Sequence, residues 1–126
     1  MNLQEQQINP RAVEDAADKL VRQSFLFDFY GELLNEHQRR IYEAYVCDNL
    51  SLSEIAEESN VSRQSVHDLI RRCDEILERY ESKLHLLETF QMMKKDVTAI
   101  NKLASGSDLD SMQKIKEISE KILLEL

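Results

Sequence analysis

The chain lacks tryptophan, has one proline, two glycines and two cysteines, and only 6% of its 126 residues are aromatic. Few prolines and glycines leave few places for sharp turns, so strand-and-turn architectures are disfavoured and long helices with short connections are expected. No apolar run approaches the roughly 18 residues that span a bilayer, so no membrane insertion is expected. The first residues, MNLQEQQINPR, contain no apolar segment of the kind a secretion signal needs. Without such a signal, Cys47 and Cys73 read as reduced, small core thiols in a cytoplasmic protein. No Cys-x-x-Cys or His-x-x-x-His spacing is present, and His37, His67 and His85 are scattered, so no metal is expected. Glycine-rich phosphate loops and Ser/His/Asp groupings are also missing, so neither a cofactor nor a catalytic site is expected.

Positive charge is scarce as well. The formal net charge is −8, and residues 48–79 alone carry −4. Phosphate affinity arises largely from Lys and Arg displacing counterions. An acidic window therefore counts against tight, non-specific duplex binding.

What the chain does contain is helical grammar. Asn9-Pro10 is a helix start, and apolar spacing continues to Leu34, which predicts one long or broken helix over 9–34 with Gly31 marking a bend. Asn35 can cap a second helix over 36–48, with Ile41, Ala44, Tyr45 and Cys47 on its apolar side. Ser51 with Glu54 forms a capping box, and Leu50 with Ile55 a hydrophobic staple. The pattern recurs one helix later, with Ser62 as cap and Val61 and Val66 as staple. Asn60 between them is the residue best able to adopt φ > 0. Two short helices across such a turn are a helix-turn-helix, placed over 51–75. Ala56 allows close crossing, and Ile55, Val61, Val66 and Leu69 fill the space between the helices.

Beyond Ile70 no breaker occurs before Gly106, which predicts a long helix over 70–105. Cys73, Leu77, Tyr80, Leu84 and Leu87 form one heptad-like seam. Leu86, Phe90, Met93, Val97, Ile100 and Ala104 form a second, out of phase with the first by one residue. The offset is either a discontinuity in one seam or a handover between two packing surfaces. The second seam either folds back as core or associates, and its length favours a homodimer or a partner groove. Gly106 is placed as a C-terminal cap, with Ser107 and Asp110 opening a last helix over 107–126. The whole reads as a single all-α domain over 1–126.

Residues 25–84 resemble the YlxM family of small helical bacterial proteins, whose helix-turn-helix is similar to region 4 of sigma factors. The resemblance rests on Leu26-Phe27-Asp28-Phe29-Tyr30 with Leu33-Leu34, on Ser51-Leu52-Ser53-Glu54-Ile55-Ala56-Glu57-Glu58, on Val61-Ser62-Arg63-Gln64-Ser65-Val66, and on Tyr80-Glu81-Ser82-Lys83-Leu84. It covers about half of the chain and leaves out residues 1–24 and those beyond Phe90. It implies a role as an accessory or regulator of the signal recognition particle, binding the particle's RNA, its GTPase, or both. The sigma comparison implies a second ligand, duplex DNA. The nucleic-acid-binding candidates are Arg63, Gln64, Ser65 and His67 on the reading helix and Arg71 and Arg72 behind them, with Arg39 and Arg40 as additions. The same side chains can equally be a solvated face, with Arg71 paired to a nearby carboxylate. His67 stands where a sigma reader usually has Arg, and Asp68 follows it. A protein-interaction module without nucleic-acid binding is the third reading.

Overall fold

A computed structural model of the chain describes residues 10–106 and 108–125. Among these residues there are six α-helices and no strand: α1 (Pro10–Tyr30), α2 (Glu36–Val46), α3 (Leu52–Ser59), α4 (Arg63–Leu84), α5 (Leu86–Ala104) and α6 (Leu109–Glu125). They divide into two compact units, one ending at Leu84 and one beginning at His85. The single domain expected from the sequence is therefore two units. The cap expected at Asn9 and the helix opener expected at Ser107 lie outside the described residues.

In the first unit Gly31 ends α1 and opens a 3₁₀ turn, Gly31–Leu33. A Cβ at Gly31 would come within 2.8 Å of the Phe27 ring, so the glycine is needed for close approach. Leu34 is extended, and Asn35 caps α2 with a full capping box to Gln38. α2 stops at Val46, two residues short of the expected end. The N–H groups of Asp48 and Leu50 turn back to the carbonyls of Glu43 and Ala44, and Asn49 takes φ 57°. Burial along α2 corrects two expectations. Tyr42 and Val46 hold buried positions, and Cys47, expected in the core, is exposed; Cys73 is buried.

The helix-turn-helix forms as its sequence predicts. Ser51 Oγ accepts from Glu54 N–H at 3.1 Å, and the Glu54 carboxylate accepts from Ser51 N–H at 3.2 Å. Asn60 adopts φ 55°, and the N–H of Val61 closes onto the Ala56 carbonyl at 3.0 Å, which is the Schellman pattern. Ser62 Oγ accepts from Ser65 N–H at 3.0 Å. Ile55, Ala56, Val66 and Ile70 are buried and Leu69 is half-buried, but Val61, expected to fill the space between the helices, is exposed, because it stands in the turn itself.

The helix expected to run unbroken over 70–105 does not. α4 closes at Leu84 and His85 takes φ 54° before α5 begins. Histidine is among the few residues enriched in the left-handed region, so the break needs no glycine. It falls where the two seams slip phase, which resolves the offset as a handover. In the second unit α5 and α6 form a helical pair. Met93, Asp96, Ala99, Ile100 and Leu103 are half-buried, as are Ile115, Ile118 and Ile122. Lys121 Nζ lies 3.4 Å from Asp96 Oδ1 across the pair. Gly106 does not take the left-handed conformation expected of a C-terminal cap. Asp108 performs the capping of α6, its carboxylate accepting from Ser111 N–H at 3.2 Å and from Ser111 Oγ–H at 2.6 Å.

Candidate nucleic-acid interface

The second helix of the motif, α4, carries five carboxylates: Asp68, Asp74, Glu75, Glu78 and Glu81. Asp74 and Glu81 face inward, the half-exposed Glu78 lies on the same strip, and α1 and α2 engage all three. Arg22 grips Glu78 bidentately, at 2.7 and 2.8 Å. Gln23 Nε2 donates to both oxygens of Asp74, at 2.9 and 3.1 Å, and Tyr42 Oη–H donates to Asp74 Oδ1 at 2.5 Å. Tyr30 Oη–H donates to Glu81 Oε1 at 2.7 Å, and Glu81 is buried at 7% exposure. The spacing 74, 78, 81 places these groups beside the buried stripe of Ile70, Cys73 and Leu77.

The remaining charges of α4 face outward. Arg63, Arg71, Arg72, Arg79 and Lys83 are exposed and only Asp68 and Glu75 accompany them. The outward side of the reading helix is thus basic, although the window that contains it is acidic. No acidic residue occupies its first turn. The positive end of the helix and Arg63 are therefore unopposed there.

Local bonds temper this face. Gln64 Nε2 donates to Asp68 at 2.9 Å. Ser65 is tied to the cap, its Oγ 2.8 Å from Ser62 Oγ. His67 Nδ1 lies 3.5 Å from Asp68 Oδ1, and Arg71 Nε lies 3.8 Å from Glu75 Oε1 with the Arg71 side chain 75% exposed. A pair that long and that exposed contributes little and is easily exchanged for another anion. Asp68, Arg71, Arg72 and Glu75 share one shallow recess.

The eight predicted residues do not form one surface. Arg39 lines a recess of about 320 Å³ with Phe27, Asp28, Glu32 and Glu43. Arg40 lines a different one of about 400 Å³ between α2 and α3, with His37, Ile55 and Glu58. Neither recess includes a residue of α4. His67 and Arg71 instead line a cleft of about 280 Å³ together with Lys19, Gln23, Tyr45, Leu52, Ile70 and Asp74. Lys19, Tyr45 and Asp74 were not predicted as site residues. The 74, 78, 81 carboxylate spacing along the core stripe is the signal that would have shown α4 docking on α1.

Two buried groups respond to this packing. Burial, reinforced by the hydrogen bond to Asp74, pushes the Tyr42 hydroxyl well above its ordinary pKa. Burial, with Asp74 adding to it, pushes the Cys73 thiol up to about 11.

Two capped helices across a left-handed turn, with a basic outward face on the second, define a helix-turn-helix protein. The model of the YlxM / p13-like helix-turn-helix family, UPF0122, matches residues 17–120, and the chain belongs to that family. The UPF0122 protein of Shouchella clausii (strain KSM-K16) is 43% identical over 106 residues, covering 83% of this chain and 97% of the relative. A UPF0122 protein of Bacillus thuringiensis (strain Al Hakam) is 43% identical over 107 residues, with the same coverage. The family match extends past the 25–84 window on both sides, taking in α5 and most of α6. No described helix is long and apolar enough to cross a membrane.

Proposed function

We propose that the protein binds structured RNA through the outward face of α4, as a non-enzymatic, cytoplasmic accessory of the signal recognition particle. The carrying observation is that Asp74, Glu78 and Glu81 are engaged by side chains of α1 and α2, which leaves Arg63, Arg71, Arg72 and Arg79 outward with only two other carboxylates among them. Membership of a helix-turn-helix family supports nucleic-acid binding; the particle as the source of the RNA is what the resemblance to the YlxM family implies. Asp68 and Glu75 lower non-specific duplex affinity and favour a ligand recognised by shape with few cationic contacts.

Binding of the purified chain to signal recognition particle RNA across a salt series tests this reading. Four phosphate contacts give a log–log salt slope of about −3, and Arg71→Ala or Arg72→Ala each reduces it by about 0.7. No binding at low salt sinks the RNA reading. Altered turnover of the particle's GTPase without RNA would then move the proposal to the protein partner. A promoter-duplex footprint lost in Arg63→Ala would move it to a sigma-like DNA regulator.

A further inference from the structure

Helices α1 and α4 run alongside each other in register. Gln23 meets Asp74 and Tyr30 meets Glu81, each pair 51 residues apart. At both levels a donor of α1 meets a carboxylate of α4, and Arg22 repeats the rule on Glu78. One helical turn before Gln23 the rule fails. There Lys19 of α1 and Arg71 of α4 line the same cleft, so a cation shares it with a cation. Both are exposed and form its rim, whereas Gln23 and Ile70 are buried and form its floor. Like charges gathered in one cleft repel, and local conflicts of this kind concentrate at functional sites.

No carboxylate of the cleft relieves the conflict. Asp74 lines it, but its oxygens accept from Gln23 and Tyr42. Among the described residues Lys19 has no hydrogen-bond or ion-pair partner. Arg71 reaches Glu75 at 3.8 Å with its side chain 75% exposed, a pair too long and too open to hold it. His67 lines the same cleft and adds an N–H donor beside them. What fits between these groups is an anion. Its class follows from continuity. Arg71 also shares a recess with Arg72 on the outward face of α4, so a strand lying along that face passes the mouth of the cleft. A guanidinium fork takes two oxygens of a phosphate, and an ammonium supplies the point charge.

We propose that the cleft between α1 and α4 is a phosphate site in which Lys19 and Arg71 hold one backbone phosphate of the bound RNA. This inference rests on the RNA reading and deepens it, because it adds a contact on α1, outside the helix-turn-helix. A free phosphate monoester presents the same oxygens, and the test separates the two sources.

The full chain is titrated with particle RNA across a salt series. Lys19→Gln keeps most of the aliphatic stem and removes the charge. It should lower the log–log slope by about 0.7 and weaken binding about fivefold at about 0.1 M salt, and Lys19→Arg should retain both. Because one phosphate is shared, Lys19→Gln combined with Arg71→Ala should lower the slope by about the same 0.7 as either alone, not by about 1.4. The urea midpoint of Lys19→Gln should hold or rise, since one of two like charges is gone. A fall in that midpoint assigns Lys19 to packing and overturns the site. Unchanged RNA affinity in Lys19→Gln, or additive slopes, also overturns it and leaves the broader RNA reading standing. If the wild-type chain binds no RNA at low salt, the RNA reading fails and inorganic phosphate decides the cleft. Saturable phosphate binding that Lys19→Gln abolishes then reassigns the cleft to a free phosphate, and no binding up to about 10 mM removes it. Adenosine monophosphate binding as tightly as the RNA overturns the RNA half in the same way.

Discussion

Four features of the fold meet at Asp74: a buried tyrosine, a buried glutamine, a buried thiol and the rim of a cleft. Tyr42 is fully buried and its hydroxyl proton goes to Asp74. A hydrogen bond to a charged acceptor contributes about 1.5–3 kcal/mol, so Tyr42→Phe should lower stability by about 2 kcal/mol, read from the urea midpoint. A loss under about 0.5 kcal/mol would show that Gln23 alone satisfies the carboxylate. Cys73 gives a pH signature. Its thiol is raised from 9.0 to about 11 in the fold, so the folded state holds the proton more tightly than the unfolded chain. The associated stability is complete below about pH 9 and is lost as the pH rises toward 11. Cys73→Ala should be less stable overall yet flatter between those values, and an unchanged slope would assign the alkaline loss to Tyr42, whose hydroxyl is raised in the same sense.

The elements were legible where side chains bond to their own backbone. Ser51, Glu54, Asn60 and Ser62 each announce a cap or a turn by residue type and offset, and each occupies that role. The turn predicts its own chemistry: Asn60 sits at φ 55°, where a β-carbon without a local polar partner costs about 1 kcal/mol. Asn60→Ala should therefore lower the melting temperature by several degrees, while Asn60→Gly should lower it less. A larger loss with Gly would mean that the asparagine side chain, and not the backbone angle, holds the turn. His85 was illegible because neither Gly nor Pro marks the break. The one-residue slip between the Leu87 and Leu86 seams was its only trace. Tyr42 was missed because its burial is set by tertiary contact, its ring against Phe27 of α1 and its hydroxyl on Asp74 of α4. The site was half legible. Arg63, Arg71 and Arg72 were read as candidates from the motif alone, whereas Lys19 and Asp74 join the cleft only through tertiary contact of α1 with α4.

For the molecule as a whole, net charge and local charge have different consequences. A −8 chain resists non-specific association with polyanions at long range, while the outward face of α4 is basic within a few ångströms. Such a protein gains selectivity for ligands that reach that face by shape. The second unit has its own imbalance. On α5 the seam predicted for association is divided: Met93 and Ile100 are half-buried, whereas Leu86, Phe90, Val97 and Ala104 are exposed and follow one another by four, seven and seven residues. That spacing keeps one line along a helix and is the spacing of a seam between like helices. We propose that this line joins two copies of the chain. Sedimentation should show a monomer–dimer equilibrium that Val97→Glu shifts to monomer, since an unpaired carboxylate at an apolar contact is costly to bury. The same substitution should leave RNA affinity per chain within about twofold, because the residues of the face and the cleft all belong to the first unit and Val97 to the second. A wild-type protein that stays monomeric to about 0.5 mM would remove the dimer, since affinities weaker than that fall below those of standard interfaces. A Val97→Glu variant that loses RNA binding along with self-association would instead mean that two α4 faces act together on one ligand, and the salt slope of the dimer would then be about double that of the single chain.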